Sequence, residues 1–182
     1  LEAYSGKSPE ELQPIPNYRI DGPIGEGGMA TIYRATYLPI DREIALKIMH
    51  PELAHVERNR MRFFREAGIL RHLDHPNIVK VYEDGHVGPW HFFAMKYVPG
   101  VSLLEKIEKG GPLSENQAMR VVAQIADAME MMLSRGVLHR DIKPGNIIVT
   151  DRFDAHSIDL GLAKLGAGMR DDGSEGMTVG TV

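Results

Sequence analysis

The 182-residue sequence predicts an α+β protein of two lobes: an antiparallel five-stranded N-terminal lobe with one helix, then a partial, mostly helical C-terminal lobe. Three observations carry this. Five short β-branched and apolar runs, separated by turn residues, fall before residue 99. One stretch of helical period interrupts them between Val56 and Leu73. After Pro99-Gly100, which reads as a linker, the dominant signal is a long amphipathic helix opening at Ser114. The chain therefore divides into an arm over 1–17, a strand-rich lobe over 18–98 and a helical lobe over 99–182.

Taken in order, residues 1–17 are polar and carry Pro9, Pro14 and Pro16, so they read as a tether or a loosely docked arm outside the core. Strands follow at Tyr18–Ile24, Ala30–Tyr37 and Arg42–Met49, with Pro39-Ile40-Asp41 as the second turn. In the helix over 56–73, Phe63, Glu66 and Leu70 fall at i, i+3 and i+7, which puts a carboxylate between two apolar residues on one face. Asp74-His75-Pro76-Asn77 stops it. Ile78–Tyr82 and Trp90–Tyr97 read as strands joined through Glu83-Asp84-Gly85. Ser114 and Gln117 make a capping box, and Ala118, Val122, Ile125, Met129 and Met132 form the apolar stripe of a helix ending at Gly136. A short strand over 147–150, a turn at 151–154 and a glycine-rich, charged stretch over 166–176 complete the chain.

Bulk properties narrow the field. A hydrophobic fraction of 43% with 25% charged residues is ordinary for a globular protein. A net charge of −4 gives no electrostatic case for nucleic acid or an anionic membrane. Cysteine is absent, which excludes disulfides and thiolate metal sites and favours a cytoplasmic setting. There is no run of eighteen apolar residues, and the first residues lack the charged-then-apolar signature of a signal peptide. The chain opens on Leu1 instead of Met, so it is expected to be cut from a longer protein, and an anchor elsewhere in that parent stays open.

Leu138-His139-Arg140-Asp141-Ile142-Lys143-Pro144-Gly145-Asn146 places acids, bases and an amide in a loop between a long helix and a short strand. Asp159-Leu160-Gly161 follows. Six fixed letters at roughly 5% each recur by chance about once in 10⁸ windows, so the signal is specific. A loop that polar between buried elements is better explained by chemistry than by packing. Earlier, Gly25-Glu26-Gly27-Gly28-Met29-Ala30-Thr31-Ile32 lies between two strands and so forms a hairpin, whose small residues let backbone amides approach a polyphosphate. In Ala45-Leu46-Lys47 the lysine shares a strand face with Ala45, while Ile44, Leu46 and Ile48 take the other. Lys47 either snorkels to the rim or needs a buried anion, for which Glu66 is available.

Together these motifs resemble the eukaryotic-type, or Hanks-type, Ser/Thr protein kinases, with the glycine pattern most similar to bacterial members. The resemblance runs from Tyr18 to the last residue. It implies a protein-kinase-like bilobal fold that moves the γ-phosphate of ATP, with Mg²⁺, to a Ser/Thr hydroxyl of a protein substrate. Asp141 is then the base and Lys143 the neutraliser of charge in transfer, with Asn146 and Asp159 as metal ligands. The nucleotide would contact Ile24, Gly25, Gly27, Gly28, Ile32, Ala45, Lys47, Met95 and Val98, with Glu66 pairing Lys47. Ala30 stands where the family usually has a third glycine, Lys96 where it often has glutamate, and Leu160 where it has phenylalanine. By resemblance His139 is packing, in a column with Leu70, Val81 and Leu160 that links the lobes. Arg140 would pair with a phosphorylated activation-segment residue, Thr178 first and Ser174 second, the alternative being ordinary solvated hydroxyls. Thr181 looks like the threonine that contacts the base and Lys143. The remaining histidines show no metal-ligand spacing. The chain ends at Val182 before the family's Ala-Pro-Glu motif, so a fragment is expected, and its later helices would bury the 114–135 stripe. The rival reading is a pseudokinase or nucleotide-binding scaffold, or an inactive fragment. Self-association for autophosphorylation also follows from the resemblance.

Overall fold

The computed structural model describes Leu12, residues 15–160 and the backbone of residues 164–165. Five antiparallel strands, β1 (Tyr18–Glu26), β2 (Ala30–Tyr37), β3 (Arg42–Met49), β4 (Val81–Val87) and β5 (Trp90–Lys96), form one sheet in the order β1-β2-β3-β5-β4. The hairpins follow the alternation of the sequence. Ile44, Leu46 and Ile48 enter one apolar cluster, while Ala45 and Met49 enter another on the opposite face. The helix α2 (Glu57–His72) lies against that second face, preceded by a single turn, α1 (Pro51–Ala54), with proline at its start. Phe63, Glu66 and Leu70 are all buried, as the i, i+3, i+7 spacing predicts.

The far face of the sheet is covered too, and this corrects the reading of the N-terminal arm. Leu12 and Ile15 are each 1% exposed and pack with Tyr18, Tyr33, Ile44 and Phe92. Two apolar residues in a proline-punctuated polar string have no period, so sequence pattern could not mark them as core. The Tyr18 hydroxyl then donates to the Glu83 carboxylate, tying the first strand of the sheet to its opposite edge.

Two further corrections concern phase. The strand expected over 78–82 runs over Val81–Val87 instead, and its turn is Gly88-Pro89, with Gly88 at φ +53°. Residues 77–79 are used otherwise: Ser157 N donates to the Asn77 carbonyl, and Val79 N to the Ser157 carbonyl. The long helix α4 (Glu115–Ser134) has the predicted capping box and ends before Gly136 at φ +71°. Its buried row, however, is Val121, Ile125, Ala128 and Met132, while Val122 is 62% exposed. Met119, Val122 and Leu133 form a second apolar row that is left in solvent.

After the sheet, residues 99–100 lead into a two-residue strand β6 (Val101–Ser102) and a helix α3 (Leu103–Gly110), neither expected from the sequence. Ser102 caps α3 by accepting a hydrogen bond from Glu105 N at 3.1 Å. Beyond α4, the two-residue β7 (Val137–Leu138) pairs with β10 (residues 164–165), and β8 (Ile147–Val149) lies between β6 and β9 (Ala155–Ser157). The crossover is tight at Gly100, where a Cβ would lie 2.4 Å from the Val149 carbonyl oxygen.

One apolar cluster runs through both halves, from Ala45, Phe63, Leu70 and Val81 to Ala128, Met132, Val137 and Leu160. Asn77 adds a polar pin: its side-chain amide donates to the Ala155 carbonyl at 2.7 Å and to Gln124 at 2.9 Å. Among the described residues no helix is long and apolar enough to cross a membrane.

Candidate active site

Lys47 leaves β3 on the helix-facing side and meets Glu66 of α2, Nζ to Oε1 2.6 Å. Both side chains are buried, at 11% and 6% exposure. Burial pushes the Glu66 carboxyl above its ordinary range and the Asp159 charge adds to the rise, while Lys47 pulls the other way. Lys47 also stands 3.7 Å from Asp159 Oδ1, so one ammonium lies between two carboxylates.

The 139–146 loop forms a second, more open network. Lys143 Nζ donates to Asp141 Oδ2 at 2.8 Å, and the Asn146 amide donates to the same oxygen at 3.0 Å and to the Asp141 carbonyl at 2.9 Å. The bond from Lys143, helped by Asn146, holds the Asp141 carboxyl below its usual range. Asp141 likewise raises Lys143. Pro144–Asn146 is a single 3₁₀ turn, closed by Asn146 N donating to the Lys143 carbonyl. Ile158 N donates to the Asn146 carbonyl, which anchors the loop to the backbone just before Asp159. The Asp159 charge also raises Lys143 and opposes the burial effect at His139, so the two networks share one electrostatic neighbourhood.

His139 is 5% exposed. Its Nδ1 accepts from Asp141 N at 3.3 Å, so Nε2 carries the proton and donates to Ser157 Oγ at 3.0 Å. Burial pushes its pKa down, keeping the ring neutral. Both nitrogens are thus engaged in holding the loop. Leu70, Val81 and Leu160 lie in the single cluster that joins the halves.

Other predicted positions are brought together less tightly. Ala45 and Met95 are cross-strand partners, both buried, and Val98 is 8% exposed just beyond them. Gly25 pairs with Ile32, and the hairpin closes with Gly27 N donating to the Ala30 carbonyl at 2.9 Å. Ile24 is 43% exposed. Thr178, Ser174 and Thr181 lie outside the described residues, as do Gly161 and the 166–176 stretch.

One feature of the loop escaped sequence reading. Arg140 sits at φ +67°, in the left-handed region that disfavours a side chain of its size. Nothing in its neighbours signals that conformation. Ser157 as the partner of His139 was equally hidden, because the two meet only through folding.

The residues fit a metal-bound nucleotide on two counts. A Cβ at Gly28 would meet nothing within 4 Å, and at Gly25 and Gly27 only ordinary contacts at 3.9 and 3.6 Å. Internal packing therefore does not require glycine there, and the hairpin backbone is left open to close approach by an external group. Asn146 and Asp159 are two hard oxygen donors, a small set of the kind magnesium takes when phosphates and waters complete its shell.

Two observations meet here: a lysine–glutamate pair joining β3 to α2, and an Asp-Lys-Asn loop that shares the charge of Asp159 with it. The family described as protein kinase domain matches residues 18–181, and the chain belongs to it. Its relatives include bacterial serine/threonine kinases. The probable serine/threonine-protein kinase pknA2 of Bifidobacterium longum is 41% identical over 167 residues, 90% of this chain and 22% of that protein. PrkC of Bacillus subtilis is 38% identical over 80% of this chain and 22% of its own length. Pkn3 of Myxococcus xanthus is 37% identical over 81% and 28%. The chain thus spans about a quarter of the length of these curated relatives.

Proposed function

We propose that the chain is the catalytic core of a serine/threonine protein kinase, moving the γ-phosphate of ATP to a protein hydroxyl. Magnesium–ATP would supply the phosphoryl group and, with the metal, positive charge against the phosphates. The chain's own residues position and neutralise. Glu66 holds Lys47 toward the phosphates, and Asn146 and Asp159 offer oxygen to the metal. The glycine hairpin of Gly25, Gly27 and Gly28 would lie over the phosphates, while Ile24, Ile32, Ala45, Met95 and Val98 would provide apolar surface for the adenine.

Asp141 stays ionised because Lys143 and Asn146 bond to it, so it accepts a hydrogen bond from the incoming hydroxyl and orients it. Transfer needs alignment and charge stabilisation more than early proton removal, and Asp141 is the base that takes the hydroxyl proton. Lys143 can turn from Asp141 to the transferring phosphoryl group, being more than half exposed. His139 and Leu160 keep the loop and the metal-site residue in register. Arg140, exposed to solvent, would pair with a phosphate on Thr178 or Ser174, and Thr181 would contact Asp141 and Lys143. The partner would be a Ser/Thr protein substrate, including a second copy during autophosphorylation.

The convergence of Lys47, Glu66 and Asp159 next to the Asp141-Lys143-Asn146 network carries this reading. The test is ATP-dependent phosphate transfer by the full-length protein and its Asp141→Asn variant. Turnover should fall by roughly 10²–10⁴ while nucleotide still raises the melting temperature. Equal turnover in the two proteins would overturn the assignment.

A further inference from the structure

The β4–β5 hairpin carries a feature that phosphoryl transfer leaves unused. His86 and His91 are directly opposed across its two strands, the second pair out from the Gly88-Pro89 turn. Their rings are 5.5 Å apart, centre to centre, and inclined by 26°. His91 Nδ1 lies 3.2 Å from the Pro89 carbonyl oxygen, to which it donates, so Nε2 is the nitrogen left with the lone pair. A backbone carbonyl fixing one imidazole nitrogen while the other faces a ligand is the usual support of a metal-binding histidine.

We propose that His86 and His91 form a two-histidine site for a borderline transition-metal dication such as Zn²⁺. With metal–nitrogen bonds of about 2.0–2.1 Å, two imidazoles at a tetrahedral angle have ring centres about 5 Å apart. The observed spacing therefore needs ring rotation and little backbone movement. Antiparallel pairing fixes the two Cβ atoms face to face, so the chain pays little ordering cost on binding.

Among the described residues no third histidine or carboxylate completes the set, so water fills the other positions and the site is open and of modest affinity. Arg60 of α2 is the nearby cation that opposes binding; Asp84, two residues along β4, is held by Arg71. The His91 ring lies 5.7 Å from that of Phe64, two residues before Glu66, so an occupied site would brace the hairpin against the helix that positions Lys47.

The test uses the metal-stripped full-length protein, without nucleotide, titrated with zinc ion alone against a chromogenic zinc indicator. Wild type should hold one zinc that His86→Gln and His91→Ala each weaken at least tenfold, and zinc should raise the melting temperature of wild type only. His55→Ala, a change at an exposed histidine before α2, should leave that zinc in place. Since His86 is exposed, His86→Gln should melt as wild type does in the absence of zinc. Equal zinc affinity in wild type and His86→Gln would overturn the proposal, as would an equal loss in His55→Ala.

Discussion

The molecule makes the same lysine–carboxylate contact twice, on the two sides of its site, and the two differ in surroundings. Lys47–Glu66 spans 2.6 Å at 11% and 6% exposure, and Lys143–Asp141 spans 2.8 Å at 56% and 30%. The first joins a strand to a helix 19 residues on and is packed under Phe93, whose ring centre lies 5.4 Å from Lys47 Nζ. The second joins neighbours two residues apart in a solvated loop. Length and chemistry are nearly equal, so burial alone sets what each pair does. A buried pair is locked, because removing one partner strands the other charge away from water. A solvated pair exchanges partners at little cost, which is what the proposed contact with substrate in each turnover would need.

Breaking the buried pair should have the largest effect. Glu66→Ala should cost about 3–5 kcal/mol, read by chemical denaturation, since Lys47 would keep only the more distant Asp159. If it cost no more than Lys143→Ala, burial would not be what separates the two pairs. An uncharged control sharpens the point. Leu12→Ala removes a side chain 1% exposed and should cost about 2–5 kcal/mol, with no dependence on salt.

Acid titration should tilt the two sides in opposite directions. Glu66 has a raised folded pKa, so its contribution to stability is present below the unfolded carboxylate range and lost as pH rises through the folded value. Asp141 has a lowered one, so its contribution is present above that range and lost as pH falls through the folded value. Relative to wild type, Glu66→Gln should therefore make stability rise more steeply with pH above the carboxylate range, and Asp141→Asn less steeply below it. Denaturation midpoints on both sides of that range measure the two, and tilts of the same sign would contradict the contrast. The smallest effect belongs to Lys143→Ala. Its denaturation midpoint should match wild type while phosphate transfer falls, and a destabilised variant would show the loop pair to be structural.

These regions also differ in how far the sequence discloses them. The pairing of Lys47 with Glu66 could be read in advance, because strand alternation put the lysine on a definite face and helical spacing put the carboxylate between Phe63 and Leu70. The chemistry-bearing loop was legible from its letters, but its shape was not: Arg140 at φ +67° and the His139–Ser157 bond depend on groups brought together from outside the loop. Helix α4 shows a different limit. With apolar rows on two faces, spacing establishes the helix but not its rotation, and Val121 was buried where Val122 was expected. The arm failed for want of any period, since Leu12 and Ile15 become core only when the sheet offers them a surface.

Gly100 has a mechanical consequence. With the Val149 carbonyl where a methyl group would need to be, the crossover lies flush on the strand that follows Asn146. A side chain there would have to push the crossover off that strand, so the sheet and the segment carrying Asn146 sit this close only because position 100 has none.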